Sequence, residues 1–363
     1  MKAALLEAFG SPLSVQSISS PVLQAGELIV DIVAAPVLPY AKQIFAGARD
    51  YPLALPMVPG CGAIARVAQV GADATRLAPG DWIFCDPTLR PRDDLRASDA
   101  ALQGWDARGH AGQVLQRQFP DGPFAQRMRL PLENAVSLGP IDAQDAARWC
   151  ALNTLLIPHG GLRSIQFSPG ETLLVSGATG HFGSATVSVA LAMGAARVLV
   201  AGRNAAALTA LADRYGERIV PVHLSGDEAA DRERMRDAGH GEIDCVLDFL
   251  PPSASARFAR AAAMSVRPHG RVVLMGGVGL QGGEDLALPY PWLMLNNITI
   301  RGQWMYARED TARVVGLVRS GQLRLDDFAI TTFPLDDVNE AIDHAAANAA
   351  PFCLTVVMPG RGE

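Results

Sequence analysis

The stretch from Leu173 to Gly183 reads Leu-Leu-Val-Ser-Gly-Ala-Thr-Gly-His-Phe-Gly, and few folds accommodate it. Its apolar start, Leu173 to Ser176, has the length and composition of a buried parallel strand. Gly177, Gly180 and Gly183 follow at three-residue intervals, and a small-residue helix is predicted over Ser184 to Met193. Binding a dinucleotide pyrophosphate requires that order. The strand delivers the chain, glycines permit a tight turn and close backbone approach, and free amides at the helix N-terminus face the anion. Gly177, Ala178, Thr179, Gly180, His181, Phe182 and Gly183 are therefore candidate cofactor contacts. A glycine-rich turn in any α/β protein is the plainer alternative.

A second strand, Arg197 to Ala201, ends at Gly202-Arg203-Asn204. NAD sites usually place an acid there to bond the ribose 2′-hydroxyl, yet no Asp or Glu occurs between Ser184 and Ala212. Gly202 leaves room, and the planar fork of Arg203 can pair with a 2′-phosphate. NADP(H) is the expected cofactor; an ordinary solvated arginine is the alternative reading of Arg203.

Strands are predicted over Arg218 to Val222, Ile243 to Phe249 and Arg271 to Gly276, alternating with helices over Ala205 to Arg214, Asp227 to Ala238 and Ser253 to Ser265. The alternation implies a doubly wound parallel sheet of the α/β class, with ligands beyond the carboxyl ends of its strands. Those ends add Phe249, Leu250, Gly276, Gly277 and Val278 to the cofactor path. The first 150 residues differ: short segments such as Glu27 to Ala34, Gly62 to Val70 and Asp81 to Phe84 are punctuated by Pro-Gly and Gly-Asp, as in a compact, mostly antiparallel β domain. Asp86 to Pro123 shows no clear period and reads as a long surface loop or lobe without a legible role.

A chain of 363 residues suits two domains. A net charge of −6 argues against nucleic acid as the main partner. Five scattered cysteines without a C-x-x-C pair point to a reducing cytoplasm. Glu7 interrupts the apolar start, so no signal peptide is expected. Thr172 to Ala196 carries no formal charge, but its glycines and its Thr-Gly-His mark a buried strand and helix, not a membrane span.

Several further stretches carry a resemblance covering nearly the whole chain: Met-Lys-Ala-Ala at the start, Gly26-Glu-Leu-Ile-Val-Asp-Ile, Pro59-Gly, Val70-Gly71, Pro79-Gly80-Asp81, Pro169-Gly170-Glu171, the glycine junction and Pro334-Leu-Asp-Asp-Val-Asn-Glu-Ala. Together they resemble the medium-chain dehydrogenase/reductase superfamily, within it the zinc-independent quinone oxidoreductase-like branch. The resemblance implies a GroES-like β-barrel domain built from both chain ends (1–150 and 298–363), a Rossmann NADP-binding domain between them (151–297), an active-site cleft at their junction and a homodimer.

Members divide by metal. The zinc alcohol dehydrogenases place a Cys where this chain has Leu38-Pro39-Tyr40 and a His-Glu pair where it has Cys61-Gly62; their third ligand matches Cys150, four residues before Thr154. A catalytic zinc site normally has three protein ligands, and two cysteines do not make it. No catalytic or structural metal is expected; Cys61 and Cys150 read as small buried side chains. Two tyrosines are candidate proton donors. Tyr40 lies where quinone reductase-like members have an Asn-aromatic pair, and Tyr51 matches a tyrosine that acts as acid in related enoyl-thioester reductases. Either ring can instead pack at the cleft rim. The Asn and Asp usual in the quinone-type stretch are Pro39 and Lys42 here.

The resemblance also implies that Thr154 contacts the nicotinamide region, that Gly276 and Gly277 let the backbone approach its ring, and that Trp304 and Tyr306 line the substrate pocket together with Tyr40 and Tyr51. The expected protein is a metal-free, NADPH-dependent oxidoreductase reducing a quinone or an activated alkene. Reversible alcohol/carbonyl chemistry is the alternative within enzymes, and a non-catalytic NADPH-binding redox sensor or partner-binding protein is the alternative outside them.

Overall fold

The computed structural model of the chain describes residues 1–93 and 100–360 and divides into two units. One comprises Met1–Asn153, Leu325–Ala349 and the chain end from Cys353; the other comprises Thr154–Arg324 and Ala350–Phe352.

The first unit is organised around the strand Glu27–Val37, in which no residue is exposed. It pairs antiparallel with Ala63–Val70, and over successive stretches with Arg127–Pro131 and Cys353–Met358. Trp82–Cys85 and Ala135–Ser137 extend the sheet beyond Ala63–Val70, and Ala329–Pro334 joins Cys353–Met358 in parallel. Register shifts at Ile29/Val30 and Ile32/Ala34 mark bulges, which sharpen twist and let a sheet curl around its own core of Leu28, Val30, Ile64, Ile83, Phe84 and Leu130. This is the GroES-like domain expected of the N-terminal half, completed by two C-terminal strands. The stretch Asp86 to Pro123 is more ordered than its sequence suggests: Thr88–Leu89 pairs with Ala101–Leu102, and Gly109–Gln118 is a helix. Its residues 94–99 lie outside the described residues.

The second unit holds six parallel strands. In chain order they are Thr172–Ser176, Arg197–Gly202, Ile219–His223, Cys245–Asp248, Arg271–Leu274 and Thr299–Gly302. Their spatial order puts the third, second and first on one side and the fourth, fifth and sixth on the other. Such strands are buried on both faces, which explains their continuous apolar runs: Leu173, Leu174, Val198, Val200, Val246, Leu247, Val272 and Val273 have no exposed surface. The order reverses between the first and fourth strands, the topological switch point where ligands bind in open α/β sheets.

Two expectations need correction. The boundary expected at 297/298 falls after Arg324, because Thr299–Gly302 pairs in parallel with Arg271–Leu274 and so extends the nucleotide-type sheet; the earlier boundary falls after Asn153 rather than after Cys150. The helix expected from Ser184 begins at His181, because Gly180, with φ −87° and ψ 173°, takes the capping position. His181 and Phe182 therefore sit in the first helical turn, not in the loop.

Leu174 is fully buried in the sheet core beside Leu199, Val246 and Val272. Leu174→Ala should cost about 2–5 kcal/mol, read as a lower urea midpoint for the loss of helical signal. A midpoint unchanged from wild type would show that this layer is not close-packed.

Candidate functional site

The glycines of the turn Gly177–Gly183 do different jobs. Gly177 has φ +78°, a left-handed conformation, and a Cβ on it would stand 2.9 Å from the Phe249 carbonyl oxygen. On Gly183 a Cβ would lie 2.1 Å from the Gly177 carbonyl oxygen, so helix and strand touch where only glycine fits. Gly180 is exposed and meets nothing closer than 3.4 Å. Two glycines are demanded by the protein's own packing, and the third leaves room at the N-terminus of the twelve-residue helix His181–Ala192. Amides at such an end attract an anion.

Other candidates gather around this turn. Thr154, fully buried, has its hydroxyl 2.9 Å from His181 Nε2. The His181 ring meets the Phe182 ring edge-on at 5.1 Å, and Phe182 stacks on Phe249 at 5.7 Å. Ala178 is buried, with its amide directed at the Ala201 carbonyl, and Thr179 Cγ2 sits 3.2 Å from where a Cβ on Gly202 would be. Arg203 is exposed, with its guanidinium 5.7 Å from the centre of the Phe258 ring. The Asn204 side chain accepts from the Ala207 amide and so caps the next helix. Gly276 and Gly277 are tight for an internal reason: a Cβ on Gly276 would meet Asp248 Oδ2 at 2.5 Å, and one on Gly277 would meet Pro252 at 2.7 Å. Val278 follows, half-buried. Tyr306 is buried against Gly160, whereas Trp304 is 47% exposed.

Asp248 was not anticipated. It closes the fourth strand at the switch point, in register with Ser176, and is 3% exposed. Burial pushes its carboxyl up to about 6, while bonds from the Ser176 hydroxyl and the Leu250 amide act the other way. Among the described residues its Oδ1 has no partner. The only sequence signal was an acid ending an otherwise apolar strand.

The first unit carries a second polar cluster. Tyr40 packs edge-on against the buried Trp105 at 5.8 Å, and the indole N–H bonds its hydroxyl. The Arg49 guanidinium lies 4.4 Å from the centre of the Tyr40 ring, and that of Arg108 lies 5.1 Å from the centre of the Tyr51 ring. Arg108 Nε donates to Asp106 Oδ2 at 2.8 Å; Asp106 is 2% exposed. Both tyrosines are half-buried, and burial raises both phenols, that of Tyr40 strongly. Arg49 and Arg108 act against this at Tyr51, and Asp106 adds to it. Asp106 and Arg108 fall in the stretch whose sequence showed no role. Lys42 lies outside the cluster, paired with Asp343 at 2.7 Å.

The metal-ligand positions do not assemble a metal site. Gly62 has φ +71°, and a Cβ there would stand 2.7 Å from Asn153 Oδ1, so a glutamate side chain has no room. Burial pushes the Cys61 and Cys150 thiols far above their ordinary range, and Cys150 Sγ is turned to the Ala146 carbonyl at 3.7 Å. Among the described residues no group of three His, Cys, Asp or Glu side chains is placed to hold an ion.

Known proteins share this architecture. A family model described as alcohol dehydrogenase GroES-like domain matches residues 24–140, and one described as zinc-binding dehydrogenase matches residues 182–320. An alcohol dehydrogenase of Rhizobium meliloti is 27% identical over 89% of each chain. An acryloyl-coenzyme A reductase of Metallosphaera sedula is 26% identical over 89% of this chain and 90% of its own. The solved structure of a putative zinc-binding dehydrogenase from Sinorhizobium meliloti, bound to NADP, superposes with a TM-score of 0.78 at 20% identity, covering 99% of both chains. At that identity it supports the fold alone.

The raised carboxyl of Asp248 has a consequence for stability. Its folded pKa lies above the unfolded value, so the native state binds the extra proton and the charged form is a burden. That burden is absent below about pH 4 and complete above about pH 6. Asp248→Asn should therefore be more stable than wild type at pH 7.5 by at most about 3 kcal/mol, with the advantage gone at pH 4. Thermal melting at the two pH values checks this; a pH-independent difference between the proteins would contradict it.

Proposed function

We propose that this chain, which belongs to the medium-chain dehydrogenase/reductase superfamily, is a zinc-independent, NADPH-dependent enzyme that reduces an activated alkene or a quinone. Members of the superfamily are oxidoreductases that bind a nicotinamide cofactor. What carries the finer reading is the first unit's polar cluster, where phenols and guanidiniums stand together while, among the described residues, no metal-ligand set does.

The residues present fit the cofactor. The turn Gly177–Gly183 would hold its pyrophosphate, with Thr154 fixing His181 in the first helical turn. Gly202 and Arg203, in a stretch without acids, would accept the 2′-phosphate. Bound there, NADPH supplies hydride. Tyr51 supplies the proton: its O–H bond breaks as the carbon beside the carbonyl gains hydrogen, and solvent restores the phenol. Arg49 and Arg108 oppose the burial that otherwise disfavours a phenolate at Tyr51. Tyr40, held harder in its neutral form, serves as the rim.

A second reading, reversible alcohol/carbonyl chemistry, is favoured by the similarity to alcohol dehydrogenases. The same phenol would then protonate a developing alkoxide. The scattered free cysteines support a cytoplasmic protein, and among the described residues no helix is long and apolar enough to cross a membrane. We read the chain as a homodimer: the edge strand Thr299–Gly302 is largely exposed, and Tyr290, Met294, Leu295 and Trp304 nearby in sequence expose large apolar surface.

Arg203→Ala should weaken NADPH binding at least about tenfold while leaving NADH binding nearly unchanged; fluorescence titration with both cofactors reads the difference, and equal losses would remove Arg203 from this role. Tyr51→Phe should slow enone reduction by metal-stripped protein about a hundredfold with NADPH affinity preserved. Unaltered turnover would exclude Tyr51 as the acid, and turnover restored only by zinc would favour the alcohol dehydrogenase reading.

A further inference from the structure

Among the described residues, Arg49 is the one cation of the tyrosine cluster whose charge is not matched. Arg108 is held by the buried carboxylate of Asp106 at 2.8 Å, which neutralises it. Among the described residues no carboxylate pairs with Arg49. Its Nε donates to the neutral Gln43 side chain at 2.7 Å, and its guanidinium rests 4.4 Å from the centre of the Tyr40 ring. Its charge also reaches Tyr51, whose phenol it makes easier to ionise. A half-buried, unpaired arginine forgoes part of its hydration. Contact with an aromatic face holds the guanidinium in place without consuming its hydrogen-bond donors. With Nε engaged by Gln43, the outer edge of the guanidinium remains a planar fork, the shape that matches a carboxylate with two parallel bonds.

The other groups around the fork do not complete it. Trp105 is apolar apart from the indole N–H already given to Tyr40, and Cys61 is a buried neutral thiol. Asp50 is exposed, and its charge acts on Asp106 and Arg108.

We propose that Arg49 binds a carboxylate carried by the substrate, so that the preferred acceptors are anionic enones of the 4-oxo-2-alkenoate type. This rests on the enone-reductase reading above. Asp106 then has a defined part: by neutralising Arg108 it leaves Arg49 as the site's one net cation, which favours a substrate with a single acidic group.

The test compares 4-oxo-2-pentenoate with its methyl ester, the same acceptor without the charge, using the full chain with NADPH. Wild type should favour the acid at least about tenfold in kcat/KM, mainly through KM, and raising sodium chloride from about 0.05 to about 0.5 M should shrink that preference. Arg49→Gln should abolish it, and Arg49→Lys, which keeps the charge but not the fork, should retain part of it. An ester reduced as well as the acid by wild type, or a preference that survives in Arg49→Gln, would overturn the assignment. Thermal melting establishes that both variants fold, and the lysine variant carries the comparison if the glutamine variant does not. If neither compound is reduced, the enone-reductase reading fails, and Arg49 is then judged by binding. Calorimetry on the NADP-loaded protein should show 4-oxopentanoate binding more tightly than 2-pentanone in wild type but not in Arg49→Gln. Equal binding of the two would overturn the carboxylate site independently of turnover.

Discussion

The closeness of Gly183 to the Gly177 carbonyl oxygen is the contact on which the nucleotide-type unit depends. A side chain at Gly183 would have to overlap that oxygen, so the helix lies against the strand only because the position has no Cβ. The left-handed φ of Gly177 turns the chain sharply enough for the helix to start at His181, directly beyond the sheet. From this geometry follow the direction of the helix's free amides, the space at Gly180 and the capture of His181 by Thr154. These are consequences of one close approach between backbones.

The neighbouring strand ends are tied together by a carboxylate rather than by packing alone. Asp248 reaches Ser176 on one side and crowds Gly276 on the other, so three strand ends at the switch point share one buried acid. Gly276, against Asp248, and Gly277, against Pro252, must be small whether or not a ligand comes near them. The first unit uses charge differently: Asp106 anchors Arg108, Trp105 holds Tyr40, and Arg49 is left over the aromatic face. The positive charge of this cluster is carried by two guanidiniums, one matched by a carboxylate and one lying over a ring.

Much of this was legible in the chain because burial on both faces leaves an unmistakable trace. The parallel strands read as uninterrupted apolar runs, and their ends lie within a few residues of the expected positions. The glycine junction was equally plain, since Gly177 and Gly183 each answer a steric demand. The strand Thr299–Gly302 lies in the range expected to belong to the GroES-like domain and instead joins the other sheet, because an edge strand carries half the burial signal and nothing local says which sheet it joins. Asn204, just past the end of the second strand, caps the helix that follows, a role its side chain suits. Trp304, expected in a pocket, is exposed.

What the sequence by itself determined is the set of constraints that act between near neighbours: strand, glycine turn and helix in that order, and the absence of an acid before Arg203. What only the tertiary structure decided is how distant segments share charge. Arg108 finds Asp106 two residues away, but both reach Tyr51 from a stretch more than fifty residues later, and Ser176 meets Asp248 across seventy more. Electrostatic and hydrogen-bond partnerships depend on separations of a few ångströms and on burial. Neither quantity is written in the order of residues until the sheets have brought their ends together.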